Sequence, residues 1–472
     1  MIRERTDETL SSRNVSSQSN NATAPTPAIA PGSDGLNPRA FAAAWRGLDP
    51  RVTSLVPQFD APFFQAGLAG YSDAAMRIIA RRHGCPYCVT EALLDRVLLA
   101  GGRGFDKADL GELADNVPGG AADTPLAGQI MGSEPSEMAA AAIKMIEQRS
   151  RPDKAYRELA YTENGTVTPR PFEHLRLPGG AQLGRFDPTE GLADDDCEDS
   201  CDPLDQLQPD ELAADPGAPA DGPRGESHAG FAAVDVNLAC PVKKIERKAR
   251  GGHWLTEPLG AIKLLEAVRE VVPAHIACTV KLRRAFDDTP EMAANFDRIL
   301  RAAFAMGYSW ATVHARTVVQ KYVGPSRWDL LREIVKRHPE GVIFGSGDIW
   351  TAPDIFRMME YTGVAGVSVA RGCIGNPWIF RQARELMAGR EPQAPSLVEQ
   401  RRALEDHFAL SLAVTKRFRH GEEASSRMMR KFAIKFASHH PRSDEVKRRF
   451  VLVNTAAEWR DVLDAFYPAG PG

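Results

Sequence analysis

Residues 231–241 read FAAVDVNLACP. A short apolar, β-type run carries Asp235 and Asn237 near its end, and Cys240 and Pro241 follow at once. That is the signature of a buried strand whose C-terminal end presents chemistry. The same unit recurs on both sides. FFQA (63–66), PYCVT (86–90) and PLAGQI (125–130) precede it; IACTVKL (276–282), SWATVHA (309–315), GVIFGS (341–346) and GVSVA (366–370) follow. Helical patterns over 72–83, 134–148, 258–271, 290–306, 326–338 and 353–362 lie between most of them. Eight strand candidates alternating with helices predict an α/β fold, a (β/α)8 TIM barrel with insertions. An open doubly wound sheet is the rival, but no G-x-G-x-x-G follows the first strand.

Outside this rhythm three segments differ. Residues 1–48, rich in Ser, Asn, Pro and Ala, read as a disordered N-terminal tail. After Pro377 the strand signal stops, and 395–465 shows helical apolar spacing (Leu404, Phe408, Leu412; Met428, Phe432, Phe436). The expected division is therefore a barrel over 49–390 and an all-α domain over 391–472. Residues 150–228 interrupt an αβ connection with an Asp-, Pro- and Gly-rich insertion that reads as disordered.

Charge divides the chain in the same way. The net of −4 conceals 13 acids against two arginines over 181–225, and 13 Lys/Arg against six acids over 401–449. A basic segment beside a neutral body points to a polyanionic partner, with solvated helix faces as the plainer alternative. No apolar run is long enough for a transmembrane helix, and the N-terminal stretch lacks a secretory h-region. Seven scattered cysteines read as reduced thiols, so the expected location is cytoplasmic. No membrane association and no metal are expected.

In such a barrel the active residues sit at the C-terminal strand ends. The sequence places Asn237 and Cys240 there, then Lys281 with Arg283, then His314 with Arg316, then Ser346-Gly347-Asp348, then Ala370-Arg371. Period two puts Lys281 and Arg283 on one face, and likewise His314 and Arg316. The last two strand ends suit a phosphate: Gly345, Gly347 and Gly372 permit close backbone approach, and Arg371 brings a fixed charge. Simple turn glycines are the plainer reading. A lone Cys before Pro is usually packing, yet a thiol, an ammonium and an imidazole at three successive strand ends suggest one pocket.

The stretches VDVNLACPVKKIERKARGGHWL, TVKLRRAF, TVHARTVVQKYVG, GSGDI and VARGCIGNPWIF resemble the flavin-dependent tRNA-dihydrouridine synthases. AGLAGYSDAAMR and GQIMGSEPSEMAAAA resemble that family's first cofactor loop and glutamine strand, and RMMRKFAIKF its helical RNA-binding tail. The resemblance covers about 57–148 and 229–465. It implies an FMN-binding barrel plus a helical tRNA-binding domain, reducing uridine at the expense of NADPH; a monomer is expected. Carried over, Gly67, Leu68 and Ala69 face the flavin ring, Gln129 meets its pyrimidine edge, Lys281 its N1/O2 region, and His314 contacts it. Ser346, Gly347, Asp348, Ala370 and Arg371 hold the phosphate end. Asn237, Arg283 and Arg316 are assigned to the substrate. A uracil 5,6 double bond conjugated to a carbonyl accepts hydride at C6 and a proton at C5. A thiol, mostly protonated at neutral pH, suits the second task, which falls to Cys240. The sequence departs from the family at Gly67-Leu68 (usually Pro-Met), Ala315, Ser346 and Ala370, which bears on cofactor affinity.

Other candidates weigh less. Cys85-x-x-Cys88 follows a helix and leads into a strand, opposite to redox motifs, so it reads as packing. Cys197 and Cys201 stand among aspartates, which blunt a thiol. A flavin enzyme acting on free pyrimidines and a non-catalytic tRNA-binding protein remain as rivals.

Overall fold

The computed structural model describes residues 35–100, 121–147, 230–242, 250–415 and 421–469. Eight parallel strands close into one barrel in sequence order: β1 Phe63–Gln65, β2 Cys88–Leu94, β3 Leu126–Met131, β4 Ala233–Leu238, β5 Ala277–Arg283, β6 Trp310–His314, β7 Ile343–Ser346 and β8 Gly366–Val369. β1 completes the ring by pairing with β8, Phe63 opposite Val367 and Gln65 opposite Val369. All eight expected strands are present. β2 runs four residues further than expected, through Glu91, Ala92 and Leu93 to Leu94, with an irregularity in its pairing to β3 between Val89 and Ala92.

Helices precede and follow the strands: α1 Pro38–Ala44, α2 Pro50–Thr53, α3 Ala74–Arg82, α4 Asp95–Ala100, α5 Pro135–Glu147, α6 Pro258–Val271, α7 Pro290–Ala305, α8 Trp328–Arg337, α9 Ala352–Thr362 and α10 Trp378–Met387. Their caps follow the chemistry of their first residues. Thr351 and Asp354 form a capping box on α9, and Gly363 closes it in the left-handed region. α11 Leu397–Thr415, α12 Gly421–Phe436, α13 Ser443–Phe450 and α14 Ala456–Phe466 make the helical tail.

Alternation along each strand sorts the side chains. Val234, Val236 and Leu238 of β4, with Cys278, Val280 and Leu282 of β5, face the helices. Ala233 and Ala277, by contrast, join an aromatic plug of Phe59, Phe64, Tyr87, Trp310 and Phe344 inside the ring. Phe59 stacks on Tyr87 at 4.7 Å and on Phe344 at 5.7 Å. The plug fills the end of the barrel where the strands begin, so polar inward residues can collect only where they finish.

One expectation needs correction. The tail read as disordered to residue 48 is ordered from 35 onward: Asn37 caps α1, Pro38 starts it, and Ala42 is buried against the barrel helices. A Pro-initiated, Ala-rich turn with Phe41 on one side is helix-competent in spite of the low-complexity residues before it. Residues 1–34 and the acidic insertion lie outside the described residues, as do Cys197 and Cys201. Cys85 and Cys88 are buried with their sulfurs 3.8 Å apart. No helix among the described residues is long and apolar enough to cross a membrane, and no described cluster of His, Cys, Asp or Glu is arranged to hold a metal.

Candidate active site

The inward faces of β3, β4 and β5 carry a connected row of polar groups. Gln129 and Asp235 are paired across β3 and β4, Asp235 faces Thr279 on β5, and Asn237 faces Lys281. Gln129 Nε2 donates to Asp235 Oδ2 at 2.6 Å, and Thr279 Oγ1 donates to the other carboxylate oxygen at 2.5 Å. Asn237 Nδ2 donates to Gln129 Oε1 at 2.7 Å, and Asn237 Oδ1 accepts from the Ala239 N–H at 2.9 Å. An ionised carboxylate only accepts, so Asp235 fixes which way the Gln129 amide points, and Gln129 then fixes Asn237. The row ends one residue before Cys240. Burial raises the Asp235 pKa, while its two hydrogen bonds and the nearby Lys281 oppose the rise.

Gly67, Gln129, Asp235, Thr279, Lys281, Thr312 and Ser368 line a small, partly open cavity above the aromatic plug. Burial brings Lys281 down to about 8, the charge of Arg283 pushing the same way and Asp235 and Cys240 opposing. An added Cβ at Gly67 would collide with the Thr90 carbonyl and stand 3.3 Å from Gln129 Oε1. The loop is therefore glycine because the irregular turn of β2 presses on it. Leu68 is half-buried and Ala69 exposed.

The strand ends of β6 to β8 form a second group. His314 Nδ1 accepts from the Arg316 N–H at 3.2 Å, which leaves the proton on Nε2. Burial and the surrounding Arg283, Lys281, Arg316 and Arg371 hold its pKa far down, so His314 is a neutral donor. Asp348, at φ 55°, accepts from Arg316 Nη2 at 2.7 and 2.8 Å and from the Ser326 N–H at 2.7 Å. Ser346 is buried opposite Ser368. Arg371, after Ala370, lies over the rings of Tyr322 and Trp350 at 5.1 and 5.0 Å.

Three placements differ from the sequence reading. Arg283 is buried and donates to the carbonyls of Ala239, Thr317 and Lys321 at 3.0, 2.7 and 2.7 Å, tying the Cys240 loop to the loop after β6. Arg316 is directed to Asp348 and the Gly324 carbonyl, so both arginines shape loops where a substrate role was expected. Gly345 and Gly372 face protein atoms on the side a Cβ would take, the Met358 sulfur and the Ile349 carbonyl. Their freedom serves internal packing. Sequence reasoning assigned no role to Asp235 or Thr279, although period two already put Asp235 on the face of Asn237. Thr90, Ser326, Tyr322 and Trp350 were also passed over, since loop contacts leave no periodic signal.

An FMN group can be tested against these residues. Arg316 Nη1 is buried with no acceptor among the described residues, and the half-buried Lys281 lines the cavity with Asp235 as a nearby negative charge. The unanswered Arg316 donor at the β6–β7 strand ends fits a phosphate, and the Lys281 ammonium in the cavity lining fits a ring edge.

Residues 224–468 match the family model described as "Dihydrouridine synthase (Dus)". The chain belongs to the dihydrouridine synthase family. The matched range begins after β3, so the first three strands enter the barrel from outside it. A "Probable tRNA-dihydrouridine synthase" of Treponema pallidum is 31% identical over 238 residues, 49% of this chain and 67% of that one. One of Mycobacterium leprae is 31% identical over 241 residues, covering 50% and 60%. The "tRNA-dihydrouridine synthase B" of Pseudomonas putida is 32% identical over 241 residues, covering 50% and 68%. The alignments thus span between three fifths and about two thirds of these three relatives' lengths.

Proposed function

We propose that this chain reduces the 5,6 double bond of uridines in tRNA, with FMN as its cofactor and NADPH as the electron donor. The observation that carries the reading is the hydrogen-bonded row Thr279–Asp235–Gln129–Asn237, ending at the Cys240 loop beside the half-buried Lys281. Residues 49–390 would be the catalytic unit and 391–472 the tRNA-binding one. Gly67, Leu68, Ala69, Gln129, Lys281 and His314 would hold the flavin ring; Ser346, Gly347, Ala370, Arg371 and the Asp348-held Arg316 would hold its phosphate end.

Bound FMN, once reduced, would supply the hydride for C6. The chain's own residues do the rest. Asn237, with both amide ends fixed, orients the uracil. The carbonyls of Cys240 and Ala239 are pinned by the Gly252 N–H and by Arg283, which sets where the thiol stands. Cys240 then gives its proton to C5. Lys281 stabilises negative charge at the ring edge, and His314 donates from Nε2 without changing charge.

Replacing Cys240 by Ala tests the assignment. FMN absorbance and NADPH oxidation should persist, while dihydrouridine formation on tRNA falls by roughly 10²–10⁴-fold. Wild-type turnover in C240A would remove Cys240 from the mechanism. Turnover on free uracil but not on tRNA would favour the free-pyrimidine enzyme instead.

A further inference from the structure

The loop that brings Gly67 to the cavity is held at a single residue from two directions. The Gly70 N–H donates to Glu91 Oε2 of β2 at 2.8 Å. Its carbonyl accepts from the ammonium of Lys431, on α12 of the helical tail. Gly70 sits at φ 69°, a turn that glycine adopts freely and that therefore needs outside contacts to stay fixed. The contact with Lys431 is not isolated. The ammonium lies 5.0 Å from the centre of the Tyr71 ring and 5.2 Å from that of Phe432. Tyr71 and Phe432 meet edge to face at 5.5 Å. The Ser72 hydroxyl donates to the Leu68 carbonyl at 2.9 Å, closing the loop on itself.

Sequence charge alone places Lys431 among the basic residues offered to a polyanion. The geometry gives it another task. We infer that Lys431 is a positioning residue through which the helical tail fixes the loop Gly67–Ser72, so that the tail sets the shape of one wall of the cofactor cavity. The inference rests on the proposed function only where it names FMN. The loop itself can be read without any flavin. A tail displaced from Gly70 and Tyr71 takes away the Lys431 ammonium and the Phe432 ring, so the segment is ordered less firmly by its own turn, in which the Leu68 carbonyl accepts from Tyr71 and Ser72, and by Glu91; ring contact at Gly67 and Leu68 would weaken with it.

Lys431→Met keeps the aliphatic stem over Tyr71 and removes only the ammonium, and the half-buried site tolerates it. In flavin-free full-length protein, amide hydrogen exchange across 67–72 should quicken roughly tenfold, the scale of one charge-assisted hydrogen bond. Exchange at Val236 and Val280, in the ladder of β4 and β5, should not change. FMN affinity should weaken several-fold, while tRNA affinity and its salt slope stay at wild type. Glu91→Gln loosens the same residue from the strand side. If that variant frees the loop and K431M does not, the strand alone holds it and the inference fails. A fall in tRNA affinity and salt slope with unchanged loop exchange would make Lys431 an RNA contact and overturn it as well. Should wild-type protein take up no FMN, the functional reading falls, and the exchange data still decide the role of Lys431.

Discussion

Lys281 is half-buried in the cavity lining, and its protonation couples stability to the proposed cofactor binding with opposite signs. In the unfolded chain its pKa is near 10.5, and in the fold it is about 8. Between those values the unfolded chain binds more protons, so this group's contribution to stability rises with pH and is adverse below about 8. If Lys281 holds the flavin ring edge as proposed, cofactor binding has the opposite slope, because that role needs the ammonium. The affinity of the apoprotein for FMN should therefore decline as pH passes 8 and be roughly tenfold weaker at pH 9 than at pH 7. Fluorescence titration measures it; Lys281→Met should bind weakly and without the slope, and a flat wild-type profile would contradict the role. Strand ends and period two place Lys281 and Asn237 in the sequence, whereas Gln129 enters only through the resemblance of its strand to the family's. The duties of Arg283 and Arg316 are not legible there. Their acceptors are carbonyls at Thr317, Lys321 and Gly324, in a loop whose path no spacing encodes.

The helical tail was legible as helices, since Phe432 and Phe436 keep the spacing that buries one face. Which of its charges stay free was not. Arg430 donates to the Val453 carbonyl and Asn454, and Lys431 to Gly70, so neither is a simple surface cation. Several other cations of the tail are exposed, among them Arg402, Lys435 and Arg460, and on α13 the half-buried Lys447 stands beside the exposed Arg448 and Arg449 as a run of three. Charge reversal at Lys447 and Arg448 should weaken tRNA binding and lower the salt slope by about 0.7–0.9 per lost phosphate contact. FMN content should be unaffected, and an unchanged slope would move the RNA surface elsewhere. In the same domain His407 is fully buried with neither ring nitrogen hydrogen-bonded, 4.4 Å from the Phe432 ring. Burial holds it neutral, at about 3. His407→Leu removes two unpaired polar atoms and should raise stability by about 1–2 kcal/mol in denaturant unfolding. A less stable variant would show that the imidazole has a partner in solution.

Over the whole molecule the (β/α) rhythm is readable because each strand is a short apolar run between turn residues, while β2 reads as ending at Thr90 because the charged Glu91 interrupts its apolar run. Between α5, ending at Glu147, and β4, beginning at Ala233, the chain makes an αβ connection. Such connections lie on the face opposite the strand ends that carry Cys240 and Lys281. Replacing 152–226 by a short Gly/Ser linker should keep folding, FMN content and saturated turnover near wild type, and raise non-specific RNA binding at low salt as the acidic charge goes. Loss of FMN or of saturated turnover would place the insertion in the catalytic face instead. The ring closure of β1 on β8 carries this further. Residues 35–147 and 230–469 meet along two separate seams, β3 with β4 and β1 with β8, and the second is reinforced where Arg384 reaches back to Asp60 and the Gly84 carbonyl. A chain severed between 148 and 229 thus yields two interlocking pieces. They should reassemble on mixing, which makes this barrel a ready scaffold for fragment complementation and for circular permutants opened at that site.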